Sequence, residues 1–304
     1  MPNTAIAIIG PTASGKTAVS LELAKKIDIE VISADSRQIY KYLNIGTAKP
    51  SAIEQAAAKH HFIDFLEPDK EYSAGKFAED AGKTIKEIFA KGKIPVIVGG
   101  SGLYVKALCE GFFLEEKPDN YKNIRQQISD IYLSSGIEPL YDELMQIDPI
   151  SAKKYSDKNP RRILRAIEFF HCYGEPISEA NDKQEQSPFF ETKYFEIEHD
   201  RAFLYDRINK RAEMMWSGGL IEETQNILAM GYSPELNSLN TVGYKETINF
   251  LNGNINNKTA LELIKQNTRR YAKRQLTWNR QIANKTKLAG SPAYFADIII
   301  THIS

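Results

Sequence analysis

Short apolar runs alternate with helical periodicities along the first hundred residues. The runs at 5–9, 30–34 and 94–98 predict buried strands, because each is short and is followed by glycines or polar residues. Between these runs, apolar side chains recur every three or four positions, as an amphipathic helix requires. They are Val19, Leu23, Ile27, Phe77, Ala81, Ile85, Ile88 and Phe89. Strands that alternate with helices predict an α/β fold with a parallel, doubly wound sheet.

The pattern changes near Phe112, and from there nearly every apolar series has helical spacing. One such series is Ile163, Ile167 and Phe170. We therefore predict an all-helical insertion that divides the α/β core into two parts. The predicted segments are 1–111 (first part of the core), 112–194 (insertion) and 195–304 (second part of the core, with a basic C-terminal helix).

The second part of the core carries weaker signals. Its first strand is predicted at Tyr194–Ile197, and residues 259–287 read as a long helical stretch rich in cations. The apolar run Ile298–Ile300 is compatible with a further strand. The segment 174–189 is rich in polar residues and is the most linker-like part of the chain.

The first predicted strand runs into a glycine-rich loop. Gly10 and Gly15 allow the backbone to curl so that successive N–H groups point inward, while Lys16 supplies a cation and the Thr17 hydroxyl can reach Mg²⁺. The loop opens a helix, whose N-terminal end favours an anion. We predict a polyphosphate site, or P-loop, formed by Gly10, Pro11, Thr12, Ala13, Ser14, Gly15, Lys16 and Thr17. The alternative is a glycine-rich turn that only resembles this pattern.

Asp35 directly follows the second predicted strand. Ligands of parallel α/β sheets bind outside the carboxyl ends of the strands, so Asp35 should lie beside the P-loop. A P-loop ATPase usually has a metal-binding aspartate after another strand, but the strand at 94–98 ends in Gly99 and Gly100. We therefore interpret Asp35 as a base rather than a metal ligand. An aspartate that caps the next turn is an equally open alternative.

Two further arginines are candidates for anion binding. Arg207 and Arg211 lie four residues apart and so project from one helix face, and neither Asp206 nor Glu213 clearly neutralises both. Planar guanidinium groups can clamp a polyphosphate and stabilise charge on departing diphosphate. Taken alone, the pair is also typical of a solvated helix face.

Positive charge is local rather than global. Lysine plus arginine and aspartate plus glutamate both number 39, so the formal net charge is zero and no overall field favours nucleic acid or membrane. One cluster lies in the insertion at 153–165, and a second, at 265–280, is interleaved with Tyr271 and Trp278 and has only Glu262 as a nearby counter-charge. Either cluster alone fits a solvated helix, but together they favour RNA or DNA binding.

Other residue classes argue against several kinds of site. Cys109 and Cys172 lack metal-ligand spacing, which favours reduced thiols and no structural zinc, and His60 with His61 is interpreted as structural. We expect no membrane span and no secretory leader, and hence a cytoplasmic protein.

Six motifs in this order resemble the tRNA dimethylallyltransferase family. They are Gly-Pro-Thr-Ala-Ser-Gly-Lys-Thr (10–17), Ala-Asp-Ser-Arg-Gln-Ile-Tyr (34–40), Gly-Thr-Ala-Lys-Pro (46–50), Gly-Gly-Ser-Gly-Leu-Tyr (99–104), Asn-Pro-Arg-Arg-Ile-Leu-Arg-Ala (159–166) and Lys-Arg-Gln-Leu-Thr-Trp-Asn-Arg (273–280). The resemblance spans nearly the whole chain and is to the short bacterial form, since the zinc finger of some eukaryotic relatives has no counterpart here. It implies a P-loop NTPase-like parallel sheet core with an all-helical insertion domain.

The resemblance also implies a reaction. A dimethylallyl group would pass from dimethylallyl diphosphate to N6 of the adenosine 3′ of the tRNA anticodon, with diphosphate and Mg²⁺ at the P-loop. Asp35 would accept the N6 proton or orient that amine, while Lys16, Thr17 and one or both of Arg207 and Arg211 would hold the diphosphate. The insertion would grip the anticodon arm, and the adenosine would have to leave its stack. The protein is expected to be a monomer.

The residues that match tRNA-contacting segments of the family form a longer set. They are Asp35, Ser36, Arg37, Gln38, Ser101, Arg125, Asn159, Pro160, Arg161, Arg162, Ile163, Lys273 and Arg274. Two departures from the family pattern stand out. Ser101 replaces a usual threonine and keeps the hydroxyl, whereas Lys245 and Glu246 replace a more common Arg-Gln ending, which puts contacts from these two in doubt.

Two other classes of function compete with this interpretation. A small-molecule P-loop kinase would turn over a nucleotide, but it would leave the cationic helix unexplained. An RNA-binding module that has lost catalysis would bind tRNA without transfer, although every proposed catalytic residue is present.

Overall fold

The computed structural model describes residues 3–111, 118–182 and 188–303. The point at which we predicted the insertion to begin, Phe112, lies outside these residues. The strands are β1 (Thr4–Ile9), β2 (Ile29–Ser33), β3 (His60–His61), β4 (Ile94–Gly99), β5 (Glu191–Ile197) and β6 (Lys285–Leu288). The helices before β5 are α1 (Lys16–Ala24), α2 (Ala52–Ala57), α3 (Ala74–Ala90), α4 (Gly102–Cys109), α5 (Tyr121–Ser135), α6 (Glu138–Ile147), α7 (Pro149–Lys154), α8 (Pro160–Tyr173) and α9 (Ile177–Asp182). Those after it are α10 (Arg201–Met215), a π-helical turn (Trp216–Leu220), α11 (Ile221–Ala229), α12 (Tyr244–Leu251), α13 (Asn257–Asn279) and α14 (Pro292–Ile303).

The described strands form one parallel sheet in the order β3-β2-β4-β1-β5-β6. The apolar runs of β1 and β2 are buried along almost their full length, as expected for strands covered on both faces. Ile9 pairs with Gly99 and Ser33 pairs with Val98, so β1, β2 and β4 end at the same edge. The predicted parallel α/β fold is confirmed, and this edge brings together the segments that follow the three strands.

The chain divides into two compact units. The first contains the sheet and comprises Met1–Glu110 and Pro188–Ser304, and the second is Gly111–Ser187. The second unit is helical in its described part, and its core contains Leu140, Leu144, Ile163 and Ile167. The predicted boundary at 194 falls inside β5, because the first three residues of that strand are polar and gave no apolar signal.

Three sequence interpretations need correction. The helix predicted at 259–287 ends at Asn279, and β6 follows it as a polar edge strand beside β5. The run Ile298–Ile300 lies in α14, whose side chains pack in one cluster with Val19 and Leu23 of α1. The linker-like segment 174–189 contains α9, although its residues 183–187 lie outside the described ranges.

Within the described ranges, the structure has no helix with both the length and the apolar character that a membrane span requires.

Candidate functional site: a P-loop and a carboxylate on one cavity

Two glycines of the loop between β1 and α1 have positive φ angles that other residues rarely adopt. Gly10 and Gly15 have φ of 154° and 99°, and a Cβ atom at Gly10 would lie 2.9 Å from Ser14 Oγ. Gly15 is the residue before α1, so the chain enters the helix from a left-handed conformation. The first turn of a helix has N–H groups with no acceptor inside the helix, and its dipole favours negative charge. The loop therefore has the local geometry of an anion site.

Lys16 folds back over this loop. Its Nζ donates hydrogen bonds of 2.9 Å to the carbonyl oxygens of Gly10 and Pro11. Burial lowers the pKa of Lys16 to about 8, with Asp35 acting to raise the pKa and Arg211 to lower it further. A bound anion would favour the charged amine, so binding and protonation of Lys16 should be coupled.

Arg207 and Arg211 of α10 both reach the P-loop. Arg207 Nε donates to the Ala13 carbonyl oxygen at 2.8 Å, and Arg211 Nη1 lies 3.5 Å from Thr12 Oγ1. Burial lowers the pKa of Arg211, whereas Asp35 acts to raise it. The neighbouring acids are occupied elsewhere, because Asp206 pairs with Lys210 and Glu213 with Lys265. Two cations are thus placed at the loop, and their action as a clamp on a polyphosphate stays a prediction.

A cavity of about 600 Å³ connects the P-loop with Asp35. Asp35 Oδ1 accepts hydrogen bonds from Arg37 N at 2.9 Å and Gln38 N at 3.4 Å, so the carboxylate caps a turn. The same carboxylate lines the cavity, so the two sequence interpretations of Asp35 are compatible. Other lining residues include Thr12, Ala13, Gly15, Lys16, Thr17, Ser33, Gln38, Thr47, Lys49, His60, Gly100, Arg207, Arg211, Tyr271 and Gln275.

The residues beside Asp35 are tied into the first unit. Ser101 Oγ accepts from Ser36 N at 3.0 Å, and Arg37 Nη1 donates to the Asn237 carbonyl oxygen at 2.6 Å. The Gln38 amide donates to the carbonyl oxygens of Thr47 and Ala48 and accepts from Ser33 Oγ. These bonds shape one wall of the cavity. Contact of Ser36, Arg37, Gln38 or Ser101 with RNA stays a prediction.

Most of the predicted RNA-contacting residues of the second unit lie at the start of α8. Asn159, Arg161 and Arg162 are exposed, and Pro160 is the first residue of the helix. Ile163 is fully buried in the core of that unit, so its side chain cannot meet RNA and we withdraw it from the predicted contacts. Arg125 has an exposed side chain that lies 3.9 Å from Glu168.

The cationic face of α13 is partly neutralised. Lys265 pairs with Glu262 at 2.9 Å and also with Glu213 at 2.8 Å, so the expectation of one nearby counter-charge is wrong. Glu213 lies on α10 and is distant in sequence, which is why spacing did not reveal it. Lys273 and Arg274 are exposed, and Arg274 lies over the Tyr271 ring at 5.6 Å.

Sequence reasoning did not assign Gln275, Tyr271 or His60 to the site, although all three line the cavity. Gln275 is bonded to the P-loop and to Gly100. Tyr271, which the sequence marks only as an aromatic residue among the cations of 265–280, lines the cavity, and burial raises its pKa to about 12, with Asp35 adding to the increase. His60 also lines the cavity, while its Nδ1 is 2.7 Å from the Ala58 carbonyl oxygen. The only sequence signal for the first two is their place in the motif-rich helix.

Glu246, whose contacts were in doubt, has a structural role. Its carboxylate accepts from Gly243 N at 2.8 Å and from Asn267 Nδ2 at 2.7 Å, and the residue is buried. Lys245 is exposed.

Comparisons with known proteins show the family of this chain. The IPP transferase family model matches residues 38–282. A tRNA dimethylallyltransferase of Acetivibrio thermocellus is 41% identical over 280 residues, which cover 92% of this chain and 89% of the relative. A protein of the same name from Christiangramia forsetii is 44% identical over 281 residues, covering 92% and 91%.

Two solved structures of transferases are also similar to this chain. A tRNA Δ(2)-isopentenylpyrophosphate transferase from Staphylococcus epidermidis has a TM-score of 0.72 and 38% identity, with coverage of 99% of this chain and 98% of that one. A eukaryotic dimethylallyltransferase acting on tRNA has a TM-score of 0.78 and 28% identity, with coverage of 91% and 69%. With a family model that matches most of its length and relatives above 40% identity, this chain belongs to the IPP transferase family.

Proposed function

We propose that the protein is a tRNA dimethylallyltransferase. It transfers the dimethylallyl group of dimethylallyl diphosphate to N6 of the adenosine 3′ of the anticodon and releases diphosphate. The observation that carries this proposal is the cavity on which Asp35 faces the P-loop, Lys16 and Arg211. The site therefore combines a carboxylate with cations that suit a diphosphate.

The proposed chemistry divides between the two ends of this cavity. The donor C1–O bond breaks as the N6–C1 bond forms, and N6 loses one proton. Because Asp35 Oδ1 is engaged with backbone N–H groups, we assign that proton to Oδ2. Lys16, Arg207 and Arg211 stabilise the charge that develops on the departing diphosphate.

We also propose Mg²⁺ as the metal that accompanies the diphosphate. Thr17 lines the cavity and offers a hydroxyl oxygen, and Mg²⁺ usually takes the rest of its six ligands from phosphates and water. Thr17 is the residue we assign to it. When bound, the metal would neutralise charge on the phosphate oxygens.

Access to N6 requires that the adenosine leave its stack in the anticodon loop. Extrusion of a base costs a few kcal/mol, on the order of one stacking step, and contacts to the nucleic-acid backbone can offset this cost. We propose such contacts from Arg161 and Arg162 in the second unit and from Lys273 and Arg274 in the first. We place the protein in the cytoplasm, with its tRNA substrate, as a monomer.

The test is incubation with radiolabelled dimethylallyl diphosphate, Mg²⁺ and unmodified tRNA that carries adenosine 3′ of the anticodon, followed by nucleoside analysis. We expect label on N6 of that adenosine, and none on a matched tRNA with guanosine there. Bound but unlabelled tRNA would contradict the proposal. Turnover of ATP with γ-phosphate transfer to a metabolite would indicate a kinase instead.

A further inference from the structure

The side-chain amide of Gln275 is buried between two segments of the cavity wall. Its Oε1 accepts a hydrogen bond of 2.7 Å from Thr12 N in the P-loop. Its Nε2 donates one of 2.9 Å to the Gly100 carbonyl oxygen, just after β4. The residue is 5% exposed. An amide is suited to this position because it offers an acceptor and a donor on one planar group.

Gly100 leaves the room that this amide needs. A Cβ atom at residue 100 would lie 2.0 Å from Gln275 Nε2, closer than any nonbonded contact allows. The chain therefore has its smallest residue where the amide approaches the backbone. The position of Gln275 is set by shape as well as by hydrogen bonds.

The bond to Thr12 N fixes a specific peptide plane of the P-loop. In a trans peptide, the N–H of Thr12 and the C=O of Pro11 lie in one plane and point in opposite directions. Gln275 holds the N–H, while Pro11 O accepts from Lys16 Nζ at 2.9 Å and Ser14 N at 3.2 Å. Gln275 thus orients the carbonyl group that holds Lys16.

Two other side chains at the loop bind carbonyl groups of other peptides. Arg207 Nε donates to Ala13 O, and His199 Nε2 lies 2.8 Å from Ser14 O. Neither bond involves the Pro11–Thr12 peptide, whose N–H is held by Gln275. Tyr271 lies one helical turn before Gln275 on α13 and lines the cavity, so one helix contributes to both ends of the site.

We propose that Gln275 is a positioning residue that sets the P-loop and Lys16 for diphosphate. This inference deepens the proposed function and rests on it for the identity of the anion. Loss of the amide should let the Pro11–Thr12 peptide rotate, which misplaces Lys16 and weakens the anion site. The affinity for diphosphate and for the prenyl donor should decrease, whereas the affinity for tRNA should not change.

The first test compares Gln275→Met with Asn279→Leu in the full-length protein. Asn279 is a matched control, because it is a buried amide on the same helix that donates to Glu196 instead of the loop. Calorimetric titration with inorganic diphosphate and Mg²⁺ should show roughly five- to tenfold weaker binding for Gln275→Met, the factor expected for one lost hydrogen bond. Asn279→Leu should lower the melting temperature but keep the diphosphate affinity.

Steady-state kinetics distinguish a positioning role from a purely structural one, because only a positioning residue should change KM for one substrate alone. Gln275→Met should raise KM for the prenyl donor while KM for tRNA stays within about twofold of wild type. Equal diphosphate affinity in Gln275→Met and wild type would overturn the inference and leave the proposed function intact. A wild-type protein that binds no diphosphate would instead contradict the proposed function.

Gly100→Ala gives an independent test if Gln275→Met folds poorly. The added methyl should push the amide away from Thr12 and weaken diphosphate binding by a similar factor. In a Gln275→Ala background, which leaves space for that methyl, the same change should have little further effect. Additive losses in this double-mutant cycle would mean that Gly100 does not act through Gln275.

Discussion

Arg207 is joined to Ala13 by a 2.8 Å hydrogen bond from Nε to the loop carbonyl oxygen, whereas Arg211, one turn later, lies 3.5 Å from Thr12 Oγ1. Arg207 is exposed and Arg211 is partly buried. Salt screens exposed charges far more than buried ones. The two arginines should therefore contribute to diphosphate binding in different ways.

We expect Arg211→Ala to be the more damaging substitution. Loss of a partly buried cation at a developing negative charge should reduce kcat/KM for the donor by roughly a hundredfold. Arg207→Ala should cost about tenfold at low salt, and less as NaCl rises. Donor kinetics at two salt concentrations check both variants. A larger, salt-independent loss for Arg207→Ala would show that Arg207 is the dominant partner.

The lowered pKa of Lys16 predicts a pH dependence of donor binding. The pKa is about 8 in the ligand-free protein, against an ordinary value of 10.5, because the amine is buried. Diphosphate favours the charged amine, so kcat/KM for the donor should fall as pH rises above about 8, and binding near pH 8.5 should take up a proton. Calorimetry in buffers with different ionisation enthalpies measures that uptake. Binding without proton uptake would contradict this assignment.

The same shift has a consequence for stability. Since the pKa of Lys16 is lower in the folded protein than in the unfolded chain, the unfolded chain binds more protons between pH 8 and 10.5. The contribution of Lys16 to the free energy of unfolding should therefore rise with pH in that window, and be at its least favourable below pH 8. Lys16→Met should remove this contribution, which denaturant unfolding at several pH values can detect.

The fold and the two ends of the site could be predicted because their signals are local. The P-loop follows from glycine spacing after an apolar strand, and the place of Asp35 follows from the end of the next strand along the chain. Gln275 gave no such signal, because its partners Thr12 and Gly100 are 263 and 175 residues away. A buried amide is recognised only when the groups on both sides of it are known.

The errors also have physical causes. Ile163 was included among RNA contacts through its motif, although its helical series with Ile167 already favoured a core position, and both are buried. The strand β6 was missed because Lys285–Leu288 is mainly polar and lies at the sheet edge. Motif neighbours share a segment, but burial depends on which helix face each residue occupies.

Two substitutions of Asp35 should distinguish its role in catalysis from its role in folding. Asp35→Asn keeps an oxygen to accept from Arg37 N but loses the base, so turnover should fall by roughly 10²- to 10⁴-fold with little change in melting temperature. Asp35→Ala should lose the cap as well, at a cost of about 1 kcal/mol in the free energy of unfolding. Single-turnover kinetics and thermal unfolding measure the two effects. Wild-type turnover in Asp35→Asn would remove Asp35 from the mechanism.

Substitutions of Lys273 and Lys265 can show whether the exposed cations of α13 bind RNA. Lys273 is exposed, whereas Lys265 is held by Glu213 and Glu262. A lysine that binds a phosphate releases counterions. Its removal therefore makes the negative slope of log affinity against log salt shallower, by about 0.7 to 0.9. We expect Lys273→Ala, combined with Arg274→Ala, to make the slope for tRNA binding shallower by about 1.5.

Lys265→Ala is the control for that experiment, because it removes one charge from the same helix, against two in the double variant. Its ion pairs already satisfy the amine, so the salt slope should stay as in wild type. Filter-binding isotherms with unmodified tRNA from about 50 to 200 mM salt give both slopes. Equal decreases per charge removed in the two variants would mean that general charge, rather than a contact at the C-terminal half of α13, draws the tRNA to this helix. An unchanged slope for the Lys273→Ala, Arg274→Ala variant would show that these two side chains face solvent and do not bind tRNA.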